Sequence, residues 1–68
     1  MKLKRLNNKK YQFYRVYDAT NNEVSDICLT FRDAKKLAYE WLQGQGCTVE
    51  IVGYKYLTSY TVAYCEDF

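Results

Sequence analysis

One stretch of this 68-residue chain restricts its fold more than any other: residues 31–43 carry a single apolar stripe at helical spacing. Ala34, Leu37, Ala38, Trp41 and Leu42 recur at i, i+3, i+4, i+7 and i+8, and Arg32, Lys35, Lys36, Tyr39, Glu40 and Gln43 take the other side. A helix of this kind buries one face only. Thr30 stands as its N-cap with Asp33 three residues on, a capping box with Asp in place of the usual Glu. Gly44 and Gly46 end it, with Gly44 placed as the left-handed residue after the last turn.

On either side the sequence reads as strands. Residues 11–18, YQFYRVYD, are aromatic and β-branched. Residues 19–23 supply an Asn-Asn pair suited to left-handed turn backbone, and residues 24–29 alternate with Ile27 and Leu29 on one face, which predicts a hairpin. After the helix, residues 47–52 make a strand with Cys47, Val49 and Ile51 facing one way. Gly53 marks a bulge or a close backbone approach. Residues 54–59 connect to a last strand at 60–65, on which Tyr60, Val62 and Tyr64 share a face, and the acidic 66–68 tail frays.

The order β-β-α-β-β with one single-striped helix predicts an α+β domain of two layers, one helix packed on an antiparallel sheet. Its expected core is Ile27, Leu29, Phe31, Leu37, Ala38, Trp41, Leu42, Val49, Ile51 and Val62. A chain this short buries only about 60% of the surface its unfolded form exposes, so its core is small. One helix also leaves the second sheet face open. Alternation places Tyr11, Phe13, Arg15 and Tyr17 on one side of the first strand, and Gln12, Tyr14 and Val16 on the other. Either side carries aromatic rings, so one aromatic face lies away from the helix.

Charge is uneven. Residues 1–10 hold five of the ten basic residues and no acid; the remaining residues hold five bases against eight acids. The chain therefore reads as a basic N-terminal arm, 1–10, on a mildly acidic single domain, 11–68. No apolar run follows the basic residues, which predicts no signal peptide, no membrane span and a cytoplasmic protein.

The inventory for catalysis is thin. Histidine, the commonest general base, is absent, and Ser25 and Ser59 lie outside any nucleophile-elbow context. Cys28, Cys47 and Cys65 have no imidazole to activate them and no metal-ligand spacing; they read as small, half-buried apolar residues in strands. No glycine-rich phosphate loop precedes the helix. The expectation is a non-enzymatic protein with no cofactor and no metal.

Two binding readings follow. In the first, the open sheet face with Tyr11, Phe13, Arg15 and Tyr17, together with Arg32, Lys35, Lys36 and Tyr39 of the helix, contacts a protein, since tyrosine and arginine bring large area at low entropic cost. A homodimer through the same face would relieve the shortage of core. In the second, the basic arm tracks phosphates and the aromatic face stacks bases, giving a small nucleic-acid-binding protein.

The segments Leu29-Thr30, Ala34-Lys35-Lys36-Leu37-Ala38 and Thr48-Val49-Glu50-Ile51 form a strand, capped helix, strand pattern. In this the chain resembles the small orphan proteins of bacteriophages and mobile elements, and the anti-CRISPR class among them, with a longer spacing between Thr30 and Ala34 than that family has. The resemblance implies a phage-encoded inhibitor that covers the surface of a host protein complex, such as a CRISPR effector, in the host cytoplasm. It transfers no functional residue.

Overall fold

The structure is a computed structural model and describes residues 3–7, 9–45 and 48–65. One helix packs against a five-stranded antiparallel sheet, the expected α+β architecture. In chain order the elements are β1 (Lys4–Arg5), β2 (Phe13–Asp18), β3 (Glu23–Val24), α1 (Phe31–Gln45), β4 (Val49–Lys55) and β5 (Thr58–Cys65). The strands lie in the order β1-β5-β4-β2-β3. The β-β-α-β-β succession is that of β2 to β5. To it the segment read as a basic arm adds an edge strand, with Lys4 opposite Tyr64 and Arg5 opposite Ala63. Gly46, Cys47 and the 66–68 tail lie outside the described residues.

The helix begins as its sequence dictates. The Asp33 amide donates to Thr30 Oγ1 at 3.1 Å, satisfying one of the free donors of the first turn, a cap worth about 1 kcal/mol. Ala34, Ala38 and Leu42 are buried at successive intervals of four, with Phe31, Leu37 and Trp41 half-buried beside them. The helix does not end at Gln43 but continues through Gly44 to Gln45. Glycine reaches helical dihedrals as readily as left-handed ones, at a cost of about 1 kcal/mol against alanine, so its position alone does not stop a helix.

Tyr14, Val16 and Asp18 of β2 face the helix, as do Val49 and Ile51 of β4. Asp18 apart, they make the hydrophobic core with Val62, Ala63 and the buried helix residues. Of the ten expected members, Phe31, Leu37 and Trp41 are half-buried against it and two face solvent: Ile27 is 50% exposed and Leu29 75%. The cause is a slip in pairing. Tyr17 faces Val24, and the Ser25 amide donates to the Val16 carbonyl, but Tyr14 then pairs with Cys28, one residue beyond that register. The additional residue forms a bulge that breaks the alternation and turns Ile27 and Leu29 outward. Ser25 stabilises the break, because its Oγ accepts the Val16 amide at 2.8 Å and donates to the Asp26 carbonyl. Regular pairing is thus confined to Glu23–Val24 and a bridge at Cys28, where a strand over 24–29 was expected.

The loop 19–22 that joins β2 to β3 is organised by Asp18, whose fully buried carboxylate accepts the amides of Thr20 and Asn21 and the Asn21 Nδ2 at 2.8 Å. Asn22 takes the left-handed conformation, φ 54°, as its residue type allows. Residues 54–59 are not a connection. Lys55 pairs with Thr58, so β4 and β5 form one long hairpin whose turn is Tyr56-Leu57.

A second bulge lies in that hairpin. Ile51 pairs with Ala63 and Val52 with Thr61, which leaves Val62 as the added residue. Val62 and Ala63 are consequently both buried on the helix side, and Tyr64, opposite half-buried Glu50, emerges on the other. The expected common face of Tyr60, Val62 and Tyr64 is split by this single residue.

Candidate functional site

The sheet face away from the helix is the first candidate surface. Register and alternation assign it Phe13, Arg15 and Tyr17 from β2, Glu50, Val52 and Tyr54 from β4, and Thr61 and Tyr64 from β5, with Val24 and Lys4 at its two edges. Phe13 and Tyr54 are direct cross-strand partners, and their rings stack at 4.8 Å between centroids with 10° between planes. The Arg15 guanidinium lies 5.9 Å from the Tyr54 ring centroid. Its Nε is buried and has no hydrogen-bond partner among the described residues. Tyr17 is pinned at the β3 end, its hydroxyl donating to Asn22 Oδ1 at 3.2 Å.

The eight expected contact residues do not share one surface. Phe13, Arg15 and Tyr17 stand together on the open face. Tyr11, placed with them by simple alternation, lies on the helix side, because the chain bends at Gln12 before β2 begins. There its ring rests against Gly53, where a β-carbon would stand 2.6 Å from ring atoms, so Gly53 is a site of close approach. Arg32, Lys35 and Lys36 are exposed on the outer side of the helix, across the molecule from the open face. Tyr39 is half-buried against the core, and its hydroxyl accepts the Leu3 amide at 3.3 Å.

Sequence reasoning missed Tyr54 and Tyr64. The Tyr54 signal was present in the alternation of β4 past Gly53, had the strand been extended; Tyr64 carries no signal, because only the bulge brings it to this face.

The helix side carries a second cluster. Tyr60, Tyr11, Tyr14 and Phe31 form a chain of ring contacts with centroids 5.6, 5.9 and 6.0 Å apart, and the Arg5 guanidinium lies 4.0 Å over the Phe31 ring. Tyr14 is buried, and its hydroxyl accepts the Tyr11 amide.

No protein-family model, curated protein or solved structure matches this chain. The site is therefore read from its own chemistry. Cys28 is a half-buried free thiol whose pKa is raised, first by burial and then by the Asp33 carboxylate, which suits packing and not nucleophilic attack. Among the described residues no group of three or more histidine, cysteine or acidic side chains is arranged to hold a metal ion, and no helix is long and apolar enough to cross a membrane.

Proposed function

We propose that this chain is a non-enzymatic binding domain that docks on another protein through the open face of its sheet. The observation that carries the reading is the Phe13–Tyr54 stack with Arg15 beside it, its Nε buried and lacking a hydrogen-bond partner among the described residues. Such a cluster is laterally rigid, so little side-chain entropy is lost when a partner covers it. The face also carries charges of both signs, Lys4 and Arg15 against Glu50, which favours a mixed protein surface over a uniform polyanion.

The partner class follows from the resemblance to small phage inhibitors: a host protein complex, a CRISPR effector among the first to test, with inhibition by coverage of its surface. Capture from bacterial lysates with the unaltered chain, a Phe13→Ala/Tyr17→Ala variant and an Arg32→Ala/Lys35→Ala/Lys36→Ala variant tests it. One complex should be retained by the first and third baits and lost by the second. Equal capture by all three baits, or a chain that only pairs with itself through this face, would overturn the reading.

A further inference from the structure

On the helix side, beyond the N-terminal end of α1, Lys9, Lys10, Tyr11, Lys55 and Tyr60 line a cavity of about 340 Å³. A neighbouring cavity of about 330 Å³ shares Lys10 and Tyr11 and adds Arg5, Leu29 and Phe31. Through these shared residues the two adjoin as a groove that, among the described residues, is lined by four cations and by no carboxylate. Three of these cations come from the basic first ten residues, and the fold brings them beside Lys55 of β4. The cations are interleaved with rings. Tyr60 is 46% exposed and lies 5.6 Å from Tyr11, whose own position is fixed against Gly53.

The loop that carries the lysines is organised around Asn7. Its Oδ1 accepts the Lys9 amide at 3.1 Å and the Tyr11 hydroxyl at 3.3 Å, and its carbonyl accepts Arg5 Nε at 2.8 Å. The backbone on which Lys9, Lys10 and Tyr11 stand is thus held relative to β1.

We infer that this groove binds single-stranded nucleic acid, with Arg5, Lys9, Lys10 and Lys55 on the phosphates and Tyr60 stacking on a base. Lysines alone would serve any polyanion. The exposed tyrosine among them selects a ligand with flat, unpaired bases, because a duplex keeps its base faces stacked internally. The groove is separate from the open sheet face, so the two surfaces act independently and fail independently.

Fluorescence anisotropy with a labelled oligothymidylate of about 15 nucleotides tests the inference on the full chain. Four phosphate contacts predict a slope of log affinity against log salt of about −3. Lys10→Glu with Lys55→Glu should weaken binding at least about tenfold at about 50 mM salt. Tyr60→Ala, at an exposed position that leaves the core intact, should weaken it at least about fivefold. Phe13→Ala/Tyr17→Ala should leave affinity unchanged. No binding at about 50 mM salt overturns the inference. So does a duplex of the same length that binds as tightly as the single strand, or a Tyr60→Ala chain that binds like the unaltered one.

Discussion

The Tyr11 ring occupies the space that a side chain at position 53 would need. A β-carbon on Gly53 would stand 2.6 Å from Cγ and Cδ2 of the ring and 2.8 Å from Cγ2 of Val62. Those ring atoms are next to the Tyr11 backbone, so the whole ring must move. Gly53→Ala is expected to destabilise the fold by about 1–3 kcal/mol, read from the urea midpoint. In the Tyr11→Ala background the same change should cost less, and strict additivity of the two would show that the ring is not what fills the space.

Asp18 ties the first hairpin from inside. Its carboxylate is buried and serves three donors of the loop 19–22. Asp18→Ala strands those donors and should cost about 2–4 kcal/mol in chemical unfolding. A loss below about 0.5 kcal/mol would mean that the loop holds itself.

Much of this was legible beforehand, and the division has a physical basis. The helix stripe, the Thr30 cap and the close approach at Gly53 are local or periodic signals, and each is found in the structure. What escaped are insertions of one residue. The bulges at Ser25–Cys28 and at Val62 each invert the faces beyond them, and the apolar pattern cannot announce this where both faces of a strand carry apolar or aromatic side chains. The Tyr56-Leu57 turn escaped because it contains none of the usual turn residues, and β1 because two basic residues carry no alternation at all.

Tyr56 is the one bulky residue among those described that holds a positive φ, 56°, and its side chain is 78% exposed. Left-handed backbone costs a tyrosine about 1–2 kcal/mol, and asparagine rather less. Tyr56→Asn should therefore raise stability by about 0.5–1 kcal/mol, with the amide at 56 still donating to Gln12 Oε1. An unchanged or lower melting temperature would count against strain at this turn.

Arg15 separates stability from binding. Its buried Nε has no partner to lose among the described residues, so Arg15→Leu forfeits only the weak contact with the Tyr54 ring. Stability should change by less than about 1 kcal/mol, while capture of the partner complex through the open face is abolished. A variant that loses stability heavily yet still captures would assign Arg15 to the fold instead.

The Cys28 thiol has its pKa raised by burial, and the neighbouring Asp33 and Asp26 carboxylates add to this. A higher pKa leaves less thiolate at pH 8, so alkylation by iodoacetamide should be slower than for free cysteine. The midpoint of its pH–rate curve should also lie higher. Peptide mapping of the Cys28 modification measures both. Labelling as fast as free cysteine would place the thiol in open solvent.

The lengths of the outer strands bear on how this domain behaves in a crowded solution. β1 and β3 have two residues each, and the outer edge of β2 is further occupied by Ser25 and Cys28. Among the described residues, the longest run of inner strand without a strand on its outer side is residues 58–61 of β5, Thr-Ser-Tyr-Thr. Four polar-rich residues are a poor template for strand addition, and intermolecular sheet growth has little to start from. The chain can therefore carry aromatic rings on both sides of its sheet and still resist fibril formation.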